Sequence, residues 1–470
     1  MLRQQVYFLR FSLTFLLIFG FSSIGIAQSQ LAGNHQLKVG YKISQNKFIA
    51  GEKQNFFIQL DIDTPNLLKD LKDEKQPVDL VLVLDRSGSM ASESKLVFAK
   101  KAVETFIEHL SDKDRISLVA FDGTASTYWP LWNVSKQNKR KMLKILHKIT
   151  DGGATNMFSG IELGKIAFNN KMKQKKIILL SDGMANAGVT SENEFKRLVK
   201  RCLDGQITIS TIGMGVDFNE KLLGMIADRG MGNYTFVENT SDLFVTLEKD
   251  LDDSRKMFAS GAYITITLPN SLFVIRNSPF YEVESLGKNQ YRLNVGGLAM
   301  NSIKSVMIGM SVAKQQRIAT LDMPKIELNY TQGVAKHRQP VRSNRRALGF
   351  LAKHKTKQVK QSIDKELFAN GWREFESALL NGEVSIAIRK GSSKKARNKV
   401  NDYKREVRKI EDTMSVVISN KKLNEELVEL EADIHDSEIG TQQEKERKYK
   451  KYSKKNHYKA RGKVKWSKGK

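Results

Sequence analysis

Val81-Leu82-Val83-Leu84-Asp85-Arg86-Ser87-Gly88-Ser89-Met90 decides how this chain is read. An apolar, β-rich run from Leu80 to Leu84 ends abruptly in Asp85, Ser87 and Ser89. Such a run reads as a buried parallel strand, and the polar cluster falls where the strand leaves the sheet. Ligands of open α/β sheets bind beyond the carboxyl ends of the strands. One carboxylate and two hydroxyls at alternate positions there can turn toward a single point. Oxygen donors of this kind suit Mg²⁺, Mn²⁺ or Ca²⁺ and suit zinc poorly. The bland reading is a loop followed by a helix cap, with Ser89 or Ser92 as the cap.

Two further segments favour the first reading. Gly152-Gly153-Ala154-Thr155-Asn156 separates two helical patterns, and its glycines permit a tight loop that presents the Thr155 hydroxyl. Ile177-Ile178-Leu179-Leu180-Ser181-Asp182-Gly183 is a second apolar strand ending in an aspartate. Around these runs strand and helix alternate. Strands are expected near 80–84, 115–121, 127–132, 176–181, 207–213 and 233–237. Helices are expected near 92–110, 136–149, 159–169, 192–203, 219–229 and 241–254.

With these residues in place the chain resembles a von Willebrand factor type A domain carrying a complete metal-ion-dependent adhesion site, of the exported bacterial type. Asp85, Ser87, Ser89, Thr155 and Asp182 match its five metal positions. The resemblance covers about 76–255 and continues through Thr208-Ile209-Ser210-Thr211-Ile212-Gly213-Met214-Gly215, Asn219–Leu223 and Gly232–Val237. It implies a doubly wound, mostly parallel, Rossmann-like sheet. It also implies hydroxyl ligation of one Mg²⁺ (or Mn²⁺ or Ca²⁺) by Ser87, Ser89 and Thr155, with Asp85 and Asp182 acting directly or through water. Two carboxylates would roughly neutralise the ion. A position left open would accept an acidic side chain from a protein partner.

The flanks read differently. Leu37, Val39, Tyr41 and Ile43, then Phe56, Ile58, Leu60 and Ile62, alternate as strands do. Apolar alternation resumes at 262–268, 291–295, 306–310 and 326–330, with turn signals between. The economical arrangement is one antiparallel β-sandwich built from 28–75 and 256–335, with the α/β domain at 76–255 inserted. Residues 336–440 are expected to be helical. Their apolar stripes (Val400, Tyr403, Val407, Ile410, Met414, Val417; Leu423, Leu427, Leu430, Ile434) suit a helical domain or hairpin, with a coiled-coil dimer as the alternative.

Composition bounds the rest. The chain has 470 residues and a net charge of +27. Arg3 and Arg10, the apolar run Phe11–Ile26 and the small residues Gly25 and Ala27 make a signal peptide over 1–27, with a retained anchor as the alternative. No later segment is long and apolar enough to span a bilayer. The expected address is therefore periplasm, cell surface or exterior. Cys202 is the only cysteine and lies in an apolar helical pattern, so it reads as a small core residue. The stretch Lys445–Lys470 holds thirteen Lys or Arg against one acid, Glu446. With 441–444 it reads as a basic, disordered tail, or as a tether to an anionic envelope surface. Export argues against nucleic acid as the main ligand. No His-Glu-x-x-His, Gly-x-Ser-x-Gly or phosphate loop occurs, so a binding protein rather than an enzyme is expected. An accessory subunit of an envelope complex and a structural protein with a stabilising metal are the alternatives.

Overall fold

A computed structural model describes residues 37–66, 77–168, 174–237, 242–269, 273–276, 283–312, 317–332, 335–461 and 466–468. The signal-peptide reading of 1–27 lies outside these residues.

Six strands form the α/β sheet in the order Ala125–Asn133, Arg115–Phe121, Val78–Asp85, Gln174–Ser181, Ile207–Met214, Met231–Val237. All pairs are parallel except the first, which is antiparallel. Period-two alternation divides the central strand between two cores. Leu80, Leu82 and Leu84 face the helices Lys95–His109 and Asp242–Arg255. Val81 and Val83 face the layer of Met157–Ile166, Glu192–Asp204 and Glu220–Arg229. Each such fully buried side chain contributes about 1.5–3 kcal/mol.

The inserted arrangement is observed. Gln54–Asp63 pairs along its whole length with Ser302–Val312, and Lys38–Ile43 pairs with Ala335–Ser343. Both N-terminal strands therefore close onto strands that follow the α/β domain. Most pairs are antiparallel; Lys38–Ile43 with Ala335–Ser343 and Lys47–Ile49 with Ala347–Leu351 are parallel. The sandwich runs on to Leu351, and the helices begin at Thr356 rather than 336. Ala335–Ser343 is exposed at Lys336, His337 and Arg338, so no apolar alternation marks it as a strand. Backbone pairing with both neighbours defines it.

Ser377–Arg389, Ser393–Met414 and Lys421–Asp436 pack on the sandwich and share its core, where Phe57 meets Phe368 and Phe375. The stripes of Val400, Tyr403 and Val407 and of Leu423, Leu427, Leu430 and Ile434 are buried inside this chain, as a hairpin requires.

The expectation of a disordered tail from 441 is corrected. Gln442–Arg461 is a helix, and Trp466–Lys468 pairs with Ser302–Lys304. Six of the helix's nine Lys and Arg meet acids of the same chain: Arg447–Glu93, Lys448–Asp436, Lys450–Asp217, Lys454–Glu220, Lys455 with Asp433 and Glu429, and Lys459–Glu429. Ser453 and Asn456 are buried. Composition suggested solvation because the partner acids lie far away in sequence.

Candidate metal centre

The five predicted residues come from three loops at the carboxyl end of the sheet. Val78–Asp85 delivers Asp85 fully buried. Its Oδ1 accepts the Ser87 N–H at 2.9 Å, and its Oδ2 accepts the Ser181 hydroxyl at 2.5 Å. Ser87 Oγ lies 3.1 Å from Ser89 Oγ. Ser89 donates to Asp182 Oδ1 at 2.8 Å. Asp182 is fully buried, whereas Ser89 is exposed, so the cluster opens to solvent at Ser89.

Thr155 is brought in by a separate device. The helix Met157–Ile166 sits very close to the sheet because Gly160 and Gly164 face it. A Cβ on Gly160 would lie 2.7 Å from the Phe121 ring, and one on Gly164 would lie 2.9 Å from Val83. Asn156 caps this helix by accepting the Ser159 N–H. The preceding loop is laced to the first by Gly88 N–H to Gly153 O (3.1 Å) and Gly152 N–H to Arg86 O (2.8 Å). Thr155 N–H donates to Asn186 Oδ1 at 2.7 Å, tying it to the third loop. A methyl on Gly183 would lie 3.4 Å from Thr155 Oγ1 and 3.5 Å from Ser89 Oγ. Those two hydroxyls therefore both stand beside Gly183, which joins the third loop to them.

The cluster fits a hard divalent cation. It offers two carboxylates and three hydroxyls. Among the described residues no three His, Cys, Asp or Glu side chains gather as an alternative cage. Burial pushes the Asp85 carboxyl up to about 6, against the pull of hydrogen bonds from Ser181 and Ser87, and Asp182 nearby adds to the rise. A cation at this point would relieve that cost. The structure gives Asp85 no cationic partner among the described residues.

Asp182 differs. Its Oδ2 accepts from the Lys95 ammonium at 2.7 Å, and Lys95 is only 6% exposed. Sequence reading missed Lys95, together with Ser181 and Asn186. The available signal was spacing, because Lys95 shares the buried stripe of Ala99, Ala102, Val103 and Phe106. Of the two carboxylates expected to neutralise an ion, Asp182 is thus already paired with a lysine in this structure. The helix itself begins at Lys95, after a turn in which Glu93 and Ser94 both take φ of 55°. Cys202 is buried and its thiol is pushed up to about 12 by burial, which suits a core residue.

The family model described as von Willebrand factor type A domain matches residues 79–249. Uncharacterized protein YfbK of Escherichia coli (strain K12) is 28% identical over 207 residues, 42% of this chain and 34% of that protein. Uncharacterized protein sll0103 of Synechocystis is 26% identical over 253 residues, 53% of this chain and 58% of that protein. Human inter-alpha-trypsin inhibitor heavy chain H3 is 25% identical over 178 residues, 36% of this chain and 20% of that protein. The chain thus spans less than two thirds of the length of these curated relatives. Among solved structures, von Willebrand factor type A from Catenulispora acidiphila shares the fold with a TM-score of 0.57 at 16% identity, over 80% of this chain and 89% of that one. The ArnB paralog VWA2 from Sulfolobus acidocaldarius does so with a TM-score of 0.51 at 16% identity, over 89% and 98%. Residues 79–249 thus match the von Willebrand factor type A domain, in family model and in fold.

Proposed function

We propose that the chain is an exported, divalent-metal-dependent binding module that captures a carboxylate of a protein partner, and that it is not an enzyme. Type A domains are typically protein-interaction and adhesion modules, and the finer reading rests on the cluster. The observation that carries it is the gathering of Asp85, Ser87, Ser89 and Asp182 by hydrogen bonds, with Thr155 and Ser89 both beside Gly183, open to solvent at Ser89.

Ser87, Ser89 and Thr155 would offer hydroxyl oxygens to Mg²⁺ or Mn²⁺, and Asp85 and Asp182 would supply the negative charge. When bound, the cation supplies a Lewis-acidic point of attachment for a carboxylate. Asp85 orients Ser87 through its backbone N–H. Asn186 holds Thr155 in register. Among the described residues, no histidine, cysteine or further carboxylate joins this cluster to serve as a general base, which favours binding over catalysis. Export is proposed from the basic and apolar start of the sequence. No helix among the described residues is long and apolar enough to cross a membrane.

Isothermal titration tests the reading. One Mg²⁺ or Mn²⁺ per chain should bind the wild type, and Asp85→Ala should bind none. Unchanged binding in that variant would overturn the assignment. Pull-down of an acidic protein ligand should be lost on chelation; retention of the partner would reject the metal-dependent part.

A further inference from the structure

We propose that Lys95 sets the charge of the metal site: its ammonium neutralises Asp182, so a bound divalent cation meets one uncompensated carboxylate, Asp85, and keeps a net positive charge that an incoming anionic group must balance. This inference rests on the metal-binding reading above and deepens it.

Four observations support it. Lys95 is almost fully enclosed, and its Nζ lies 2.7 Å from Asp182 Oδ2, where Asp182 is itself fully buried. The pair is therefore little screened by water. The other oxygen of Asp182 accepts from Ser89, so the ammonium also fixes which oxygen faces the donor cluster. The fold makes room for this side chain. Gly215 follows the strand Ile207–Met214 at φ +69°, and a Cβ there would lie 3.0 Å from Lys95 Cε and 3.3 Å from its Nζ. Lastly, Asp85 is held by hydrogen bonds from Ser87 and Ser181, not by a cation.

The charges give the consequence. Asp85 and Asp182 carry −2 together, and Lys95 returns the site to −1. A divalent cation then leaves it at +1. Without Lys95 the same ion would leave it neutral. Lys95 thus weakens cation binding and strengthens the hold of the loaded site on a carboxylate. It is a positioning residue acting through Asp182, not a ligand.

The test uses the full chain at constant ionic strength. Mg²⁺ and Mn²⁺ affinities are measured by calorimetry for wild type, Lys95→Gln, Lys95→Met and Lys95→Arg. Acetate binding to the Mn²⁺-loaded proteins is followed by water-proton relaxation. Lys95→Gln and Lys95→Met should bind the metal at least about tenfold tighter and acetate more weakly, while Lys95→Arg should behave like wild type. A lysine that only props the fold would instead weaken metal and acetate binding alike. Equal or weaker metal affinity in a neutral variant with native circular dichroism overturns the proposal. Two neutral variants of different shape keep the test open if one does not fold. If wild type binds neither metal, the metal reading itself fails. If wild type binds, Asp85→Ala does not, and the neutral Lys95 variants match wild type, only this inference fails.

Discussion

The two ends of the α/β sheet handle buried charge in opposite ways. At the amino end every buried aspartate has its own cation. Asp79 takes a two-pronged bond from Arg115 (2.8 and 2.5 Å), Asp250 meets Lys176 at 2.8 Å, and Asp114 meets Arg255. At the carboxyl end Asp182 is paired to Lys95 and Glu220 to Lys454, but Asp85 is left to hydrogen bonds. A closed set of ion pairs holds elements together and asks nothing of solution. An open set stores an unmet demand for positive charge. The difference separates a structural end from a binding end of one sheet.

The sharpest way to break the comparison is to open the closed end. Asp114 accepts bonds from Val78 N–H, from Ser111 N–H and Oγ, and from Arg255, which is 6% exposed. Asp114→Ala leaves that buried guanidinium with only the more distant and more exposed Asp252, at 3.8 Å. Removing one member of a buried pair costs about 3–5 kcal/mol. Urea unfolding should show that loss, while Mg²⁺ affinity of the folded fraction stays unchanged. A destabilisation below about 1 kcal/mol would mean that the amino end is not held by its ion pairs.

The next effect concerns the C-terminal helix, which crosses to the binding end. Lys454 is buried, donates to Phe218 O and pairs with Glu220 at 3.0 Å, and its ammonium sits 3.9 Å from the Phe218 ring centre. Lys454→Met leaves Glu220 with the more exposed Arg389 as its remaining cation. A hydrogen bond to a charged group is worth about 1.5–3 kcal/mol. The variant should lose about that much stability, and limited proteolysis should cut within 442–461 sooner than in wild type.

These two regions also show what was legible beforehand. Asp85, Ser87, Ser89, Thr155 and Asp182 could be read because each ends an apolar run or sits in a glycine-marked loop, which are local signals. The type A sheet followed from the same alternation. Lys95 was legible only through its spacing on the buried stripe, since a lysine in the first turn of a helix ordinarily points to water; the space its side chain takes is left by Gly215, 120 residues later. The helix Gln442–Arg461 was hidden for the same reason. Arg447, Lys450 and Lys454 are satisfied by Glu93, Asp217 and Glu220, and no local pattern announces partners so distant. Ala335–Ser343 escaped because backbone pairing, not side-chain burial, makes it a strand.

A smaller effect sharpens the comparison from the open end. Asp85→Ala removes two hydrogen bonds, from Ser87 N–H and the Ser181 hydroxyl, and strands no cation. Each such bond contributes about 0.5–1.5 kcal/mol net, and loss of the buried charge offsets part of that. The metal-free variant should be destabilised by about 1–2 kcal/mol at most. Its decisive change should be the loss of Mg²⁺-induced stabilisation in a thermal melt. Asp114→Ala should behave in the reverse way, with large destabilisation and an intact metal response. Matching profiles for the two variants would erase the distinction between the ends.

The smallest effect lies at the exposed rim between helix and domain. Lys450 and Asp217 pair at 2.8 Å with side chains 57% and 53% exposed. The hydrogen bond from Lys450 is the main reason the Asp217 carboxyl lies below its ordinary 3.8. A carboxylate whose value falls on folding adds stability above its ordinary value and loses it as pH drops through the folded one. Solvent screening reduces this to at most about 1 kcal/mol. Lys450→Ala should therefore lower the urea midpoint slightly at pH 7. The gap from wild type should shrink once the pH falls below 3.8, and should also fade as added salt shortens the screening length. The buried Lys454–Glu220 pair should keep its contribution in the same salt, because little water or salt reaches it. Equal salt sensitivity in Lys450→Ala and Lys454→Met would show that the helix is held only by surface charge, and that burial of its own Ser453 and Asn456 contributes nothing.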